Sequence, residues 1–457
     1  MRRRILIVSA LMALWITASA GPSLAHGLGG RVDLPVPRWL FVFGAGTALI
    51  VSFVALSALW TEPKFERRDS DPSARTWFQT ILTNRWLEWV IRLVALAVFF
   101  VVAGASAERA GPTETIGPVF VFAWFWVGLT FAHAIFGNLW ATLSPFDTLG
   151  RLMSLDYRYE SPPRRYPPAW GKWPAAILLF GFVWIELADP FRDSPGSLGI
   201  LIGVYTLVTI AGMFVFGRRA WIDNGEAFAV YFGLIARLSP FARDGEGRVT
   251  LRPPLSGLAE VKPRPGLLAL IMVALGSTTF DGLSRTSLWV SRTVALTGLS
   301  RLVVFTAGLL TTIGLVALTY ALAMAVAARV IGGMWHALAV RFAPSLVPIV
   351  LAYIVAHYFS FLLIEGQLGL AKLSDPFGWG WDLFGTARWT VNLTLLSATV
   401  IWYVQVAAIV IGHVGGVVLA HDRAIALFDR GPAVRTQYAL LGVMVLFTAT
   451  GLLILSG

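Results

Sequence analysis

A polytopic, all-α bundle of about ten membrane-crossing helices is the fold class that this 457-residue chain predicts, on three observations. Hydrophobic residues make up 57% of the chain and charged residues only 13%, against about a quarter charged in soluble domains; mean hydropathy is +0.72. Apolar runs recur that are long enough to cross ~30 Å of hydrocarbon at ~1.5 Å per helical residue. Arginines and lysines sit in alternate loops between those runs, the distribution that orients helices in a bilayer. The formal charge of +11 is therefore read as a topology signal and not as a nucleic-acid surface. With no cysteine, neither a disulfide framework nor a thiolate metal site is available.

In chain order, residues 1–25 read as a secretory signal. Arg2, Arg3 and Arg4 precede the apolar run Ile5 to Ala20, and Ser23-Leu24-Ala25 supplies small residues at a cleavage site. Cleavage after Ala25 leaves 26–457 as one transmembrane domain that begins with His26. A terminal histidine can chelate a soft or borderline cation such as copper through its amine and one ring nitrogen. The alternatives are that His26 merely marks the cut, or that the segment stays on as an anchor.

The candidate spans are 37–60, 87–107, 117–143, 174–188, 197–217, 266–280, 302–330, 345–371, 390–420 and 436–456. The fourth and sixth are short. The sixth runs into Gly276-Ser277-Thr278-Thr279-Phe280-Asp281-Gly282, whose polarity admits a broken or re-entrant helix near 266–285, tolerated where it lines a protein-enclosed cavity. Ala227 to Leu238 is apolar but too short to cross, which predicts an amphipathic helix along the interface. Leu-Ser-Pro-Phe occurs at 143–146 and at 238–241, where proline is expected to stop a helix.

Charge placement orients these spans. Lys64, Arg67, Arg68, Arg75 and Arg85 form one basic loop; Arg151, Arg158, Arg164, Arg165 and Lys172 form the next; 218–264 carries a third set. Intervening loops hold Arg109 and Arg192 alone, although 281–301 contains Arg285, Arg292 and Arg301. The positive-inside rule then places the chain in a bacterial inner membrane with both mature termini periplasmic or extracellular.

Chemistry is sought among ionisable groups within the spans, since each is costly in hydrocarbon and usually faces a partner or a wet cavity. His133 sits mid-span, followed by Asn138 and Trp140. Tyr353 and His357 share a helix face, with Glu365 and Gln367 further along that helix. Gln405, Ile409 and His413 are spaced by four, and His421-Asp422 marks a span boundary. Three uses compete for the histidines: interhelical hydrogen bonding, metal or haem ligation, and a proton relay. Asp281, Glu365, Asp375 and Asp382 are carboxylates expected near the outer mouth of the bundle. Asp281, Glu365 and His357 are therefore the candidate catalytic residues. His26, His357 and His413 are the candidate ligands of a divalent metal that would lower the pKa of bound water. Phosphate loop, serine elbow and dinucleotide fingerprint are all absent.

His26-Gly-Leu-Gly-Gly-Arg-Val-Asp-Leu-Pro-Val-Pro, Ser277-Thr-Thr-Phe-Asp-Gly-Leu-Ser-Arg-Thr, Ala356-His-Tyr-Phe-Ser and Gly412-His-Val-Gly-Gly-Val-Val-Leu-Ala-His-Asp-Arg together resemble bacterial multi-pass membrane proteins labelled fenitrothion hydrolase-like. The resemblance extends over nearly all of residues 26–457. It implies hydrolysis of an organophosphorus triester, a small-molecule substrate, at a membrane-embedded or periplasmic site. It carries over no catalytic residue. A second class stays open on the histidines: a copper- or other metal-handling protein or transporter that captures the ion at His26 and passes it to intramembrane histidines. A third is a membrane scaffold with no chemistry of its own.

Overall fold

The computed structural model describes residues 38–65, 84–108, 111, 113–155, 163–190, 196–243 and 249–456. The signal segment and His26 lie outside them. Nine helical stretches among the described residues are long and apolar enough to cross a membrane. They are α1 (Arg38–Leu59), α2 (Arg85–Ala107), α3 (Val119–Phe136), α7 (Ser197–Phe216), α10 (Leu267–Ser284), α12 (Gly298–Ile331), the run Trp335–Lys372, α16 (Ala398–Leu427) and α17 (Arg430–Ser456). Between them lie α4 (Trp140–Leu143), α5 (Pro145–Leu152), α6 (Trp173–Leu187), α8 (Arg218–Asn224), α9 (Ala227–Ile235) and α11 (Ser287–Thr293). The run Trp335–Lys372 comprises α13 (Trp335–Phe342), α14 (Val347–Ile364) and α15 (Gly366–Lys372). Large apolar side chains such as Phe43, Ile200, Leu207, Leu318 and Ile411 stand exposed on the long helices. Contiguous apolar faces of that kind require lipid, not water. This is a multi-pass membrane protein, built as an all-α bundle.

The chain divides into two compact units. The first takes residues up to Pro63, Ala274–Phe361 and Leu393 onward. In it α17 packs against α1, α12 and α16, and α1 against α16. The second takes Lys64–Val273 and Leu362–Asn392. There α2 packs on α7 and α9 on α3 and α6. Close approach of α2 and α7 depends on Gly199, since a Cβ there would come within 2.6 Å of the Ala107 Cα.

Three segments differ in character from their sequence expectation, each for a physical reason. The fourth apolar run forms α6, whose 15 residues rise only ~22 Å at ~1.5 Å each, so it is a short helix among longer ones. Ala227–Leu238 does not lie on the surface as an amphipathic helix: Phe228, Val230, Tyr231, Phe232, Leu234 and Ile235 are all buried, as the core helix α9 and a following turn. The polar tract at 276–282 runs within one unbroken helix, α10. There Ser277 and Thr278 hydroxyls donate to the Ala274 carbonyl and Thr279 donates to Leu275. Such back-bonding satisfies hydroxyls that would otherwise favour a break.

The repeated Ser-Pro-Phe phrase does end a helix both times, at Leu143 and at Leu238. The chain then continues differently at each. Ser144 caps α5 by accepting from the Asp147 amide at 3.2 Å, while Ser239 accepts from the Phe241 amide and leads into a short antiparallel hairpin, β1 (Phe241–Arg243) with β2 (Val249–Leu251).

Candidate functional site

The candidate catalytic pair lies in the first unit. Asp281, one turn from the end of α10, is 2% exposed. Its Oδ2 stands 2.8 Å from Nε2 of His357 on α14, and its Oδ1 accepts from Arg285 Nε at 3.2 Å. A buried carboxylate thus has a histidine on one oxygen and a guanidinium on the other. Gly282 leaves room for Ile454, since a Cβ there would lie 2.6 Å from that side chain, and it borders His357 at ordinary contact distance. His357 keeps partial exposure, and the Tyr358 ring meets it edge-on at 5.0 Å. The two groups stand at ion-pair distance, but Oδ2 and Nε2 do not form a well-aligned hydrogen bond; a carboxylate beside an imidazole is a pairing found around general bases.

The other sequence candidates fall elsewhere. Glu365 occupies the N-cap position of α15 in the second unit, without a side-chain cap hydrogen bond, and so does not belong to the same unit as His357. His413 is fully buried on α16, its Nδ1 2.8 Å from the Ile409 carbonyl and its ring 5.8 Å from that of Tyr353. Its Nε2 has no hydrogen-bond partner among the described residues. His357 and His413 do not share a ligand set: among the described residues no three His, Asp or Glu side chains converge to hold a metal. Asp281 and His357 supply two donors, one short of the three protein ligands of a catalytic zinc site. His26 falls outside the described residues.

Several polar groups that the sequence singled out are structural. His133 Nδ1 meets the Leu129 carbonyl at 2.6 Å, Nε2 accepts from the Trp140 amide at 2.8 Å, and the ring stacks on Phe232. Asp375 accepts from the Trp379 and Gly380 amides, and Asp382 from the Ala387 amide, so both fix a turn. His421 holds the end of α1, with Nε2 3.0 Å from the Trp60 carbonyl and Nδ1 3.1 Å from Gln437 Oε1.

Sequence reasoning missed a charged centre in the second unit. Asp147 on α5 is 5% exposed and meets three guanidiniums. Arg92 and Arg151 each lie at 2.9 Å, and Arg218 contacts the other carboxylate oxygen. Arg92 and Arg218 are themselves buried, and Arg92 also donates to Glu88 and to the Ala141 carbonyl. Burial pushes the Asp147 carboxyl up, but Arg218, Arg151 and Arg92 more than offset it and hold it below its usual value. Close by, Glu226 caps α9 through the Phe228 and Ala229 amides and also accepts from Trp140 Nε1 and Tyr205. Leu-Ser-Pro-Phe at 143–146 reads only as a helix stop, and the signal that could have found the centre is Arg92, a charged residue inside the candidate span 87–107. Arg151 and Arg218 read as ordinary loop cations.

A cavity of about 800 Å³ opens beside this centre, lined by residues that come after α3 and α7 and before α6 and α10. Lys172 borders it. Burial lowers this amine's pKa to about 8, against the opposing pull of Asp223 and with further lowering by Arg264 and Arg237. The chain matches no family model, no curated protein and no solved structure.

Proposed function

We propose that this chain is an integral-membrane hydrolase of organophosphorus triester-like substrates, with His357 as general base and Asp281 as the group that orients it. The contact between Asp281 Oδ2 and His357 Nε2 at 2.8 Å carries this reading, and the resemblance noted in the sequence supplies the substrate class. In this reading the His357 imidazole takes a proton from water, and the adjacent Asp281 carboxylate stabilises the imidazolium that forms. The resulting hydroxide attacks phosphorus, the bond to the leaving oxygen breaks, and the leaving group takes up the proton from His357. Purified protein is expected to cleave a p-nitrophenyl dialkyl phosphate, and Asp281→Asn to abolish most of that rate. No cleavage by the wild type, or equal cleavage by the variant, would reject the proposal.

One observation favours a metal-handling protein as a second reading: His413 Nε2 is buried without a hydrogen-bond partner among the described residues, and a bare imidazole nitrogen is a ligand for copper. That reading expects His26 at the mature terminus and stoichiometric copper that is lost in His413→Leu. N-terminal sequencing and metal analysis of the purified protein test it, and copper content unchanged in the variant would remove His413 from it.

We also propose that the basic loops face the cytoplasm of a bacterial inner membrane and the mature termini face outward, as the positive-inside rule requires. The chain contains no cysteine, so a single introduced thiol reports its own side. Exposed Arg388, replaced by cysteine, is expected to react with an impermeant maleimide from outside, and exposed Pro263, replaced likewise, only after permeabilisation. The reverse pattern would invert the orientation.

A further inference from the structure

We propose that the cavity beside Asp147 binds a phosphate-bearing amphiphile, holding its anionic head with lysine and arginine and its apolar portion against the α9 wall. This site is distinct in residues and chemistry from the Asp281–His357 pair.

Charge selects the head. Basic side chains among the lining residues outnumber acidic ones by seven to three, so the cavity as a whole attracts an anion. Two of the three acidic groups are moreover already engaged. Asp147 is shared by three guanidiniums, and Glu260 lies 3.1 Å from Arg237 and 3.9 Å from Arg252. Lys172, Arg219, Lys262 and Arg264 add positive charge around the same space. Lys172 reports the imbalance: it donates to the Asp223 carbonyl, yet its proton is held less firmly than that of an ordinary lysine because burial and neighbouring arginines disfavour a further cation. A bound phosphate would reverse that deficit.

Shape and position select the remainder. A volume of about 800 Å³ falls in the range of small-molecule pockets, ~300–1,000 Å³, and exceeds what a bare phosphate needs. Val230, Leu234, Ile222 and Leu267 give it an apolar side. Its lining residues lie just beyond the ends of α3 and α7 and at the start of α10, the level at which headgroups meet a bundle. Basic pockets between helices at that level bind anionic lipid heads. The same phosphate chemistry could also come from a soluble phosphorylated amphiphile.

The test measures thermal unfolding of the full chain in neutral detergent as ligand is added, since a ligand of the folded state raises the midpoint by mass action. The probes are dihexanoyl phosphatidylglycerol, dihexanoyl phosphatidylcholine and glycerol 3-phosphate. Phosphatidylglycerol is expected to stabilise saturably and to bind at least tenfold more tightly than phosphatidylcholine. Lys172→Gln with Arg264→Gln should weaken it at least tenfold while the ligand-free midpoint stays put. Raising pH from about 7 to about 9 should weaken binding several-fold in the wild type and not in Lys172→Arg, given that Asp223, Arg237 and Arg264 are the charged groups acting on that amine. Equal stabilisation by glycerol 3-phosphate, which has no apolar portion, would overturn the apolar half of the proposal and leave a site for a soluble phosphate. Equal stabilisation by phosphatidylcholine, or undiminished binding by the double variant, would overturn the proposal. Should the double variant not fold, the comparison of the two lipids on wild-type protein decides it alone.

Discussion

Asp147→Ala is expected to destabilise the second unit by about 3–5 kcal/mol, the cost of leaving buried cations without their counter-charge. Arg92 and Arg218 are each 3% exposed, and both direct a guanidinium at Asp147. Neither can relax into water without moving its helix, because Arg92 is also tied to the Ala141 carbonyl and Arg218 lies where Gly150 leaves room for its stem. Asp147→Asn keeps the shape and one acceptor oxygen but removes the charge, so most of the loss should persist. Glu88, by contrast, meets the buried Arg92 from a partly solvated position, where water screens its charge, so its loss should cost less than that of Asp147. Glu88→Gln is the matched control.

The same centre fixes an acid limit. The Asp147 carboxyl is held below its ordinary value of 3.8 in the folded protein, so its stabilising contribution is complete above that value. It is lost as pH falls from there through the depressed folded value. Unfolding midpoints measured from neutral pH downward should therefore fall in the wild type below about pH 4, and the fall should be smaller in Asp147→Asn, which has no proton to bind there. A midpoint for Asp147→Ala within a degree or two of the wild type would show that water or another anion compensates the arginines.

This centre also shows where reading the chain stops. Long spans are legible because lipid forces every residue on an outward face to be apolar, so Phe43, Ile200 and Leu318 announce themselves one by one. Asp281 and His357 were legible as single costly groups for the same reason, and their meeting follows from both needing a partner. Arg151 and Arg218 carried no such mark: an arginine in a short loop looks the same whether it faces water or a buried carboxylate 71 positions away. Ala227–Leu238 misled for a related reason. A short apolar run cannot cross a membrane, and only its neighbours α3 and α6, distant in sequence, bury it on all sides instead of leaving one face exposed. At 276–282 the hydroxyls looked like breakers, because composition does not reveal that they bond their own helix.

Single and double replacement of Asp281 and His357 should give nearly the same loss of phosphotriester cleavage, ~10²–10⁴-fold in kcat, the range that a positioned base contributes. At ~1.36 kcal/mol per tenfold, that is about 3–5 kcal/mol of transition-state stabilisation. The expectation rests on geometry. Asp281 touches no substrate in this scheme; it acts by holding His357 through a 2.8 Å contact, so once the imidazole is gone the carboxylate has nothing left to orient, and the effects cannot add. Asp281→Asn should therefore cost nearly what His357→Gln costs, Asp281→Glu should recover part of the rate, and His357→Gln combined with Asp281→Asn should cost no more than either. A purely structural pair predicts otherwise: each replacement would lower the unfolding midpoint and reduce kcat only through loss of folded protein, leaving the pH profile of the surviving fraction intact. Arg285 sharpens the distinction, since it meets the same carboxylate at 3.2 Å from a partly exposed position. Arg285→Gln removes a cation from Asp281 without touching His357, and its expected signature is a shifted pH profile with the fold preserved. Additive losses from Asp281 and His357 would mean that the two groups act on different steps, and the dyad would have to be abandoned as a unit.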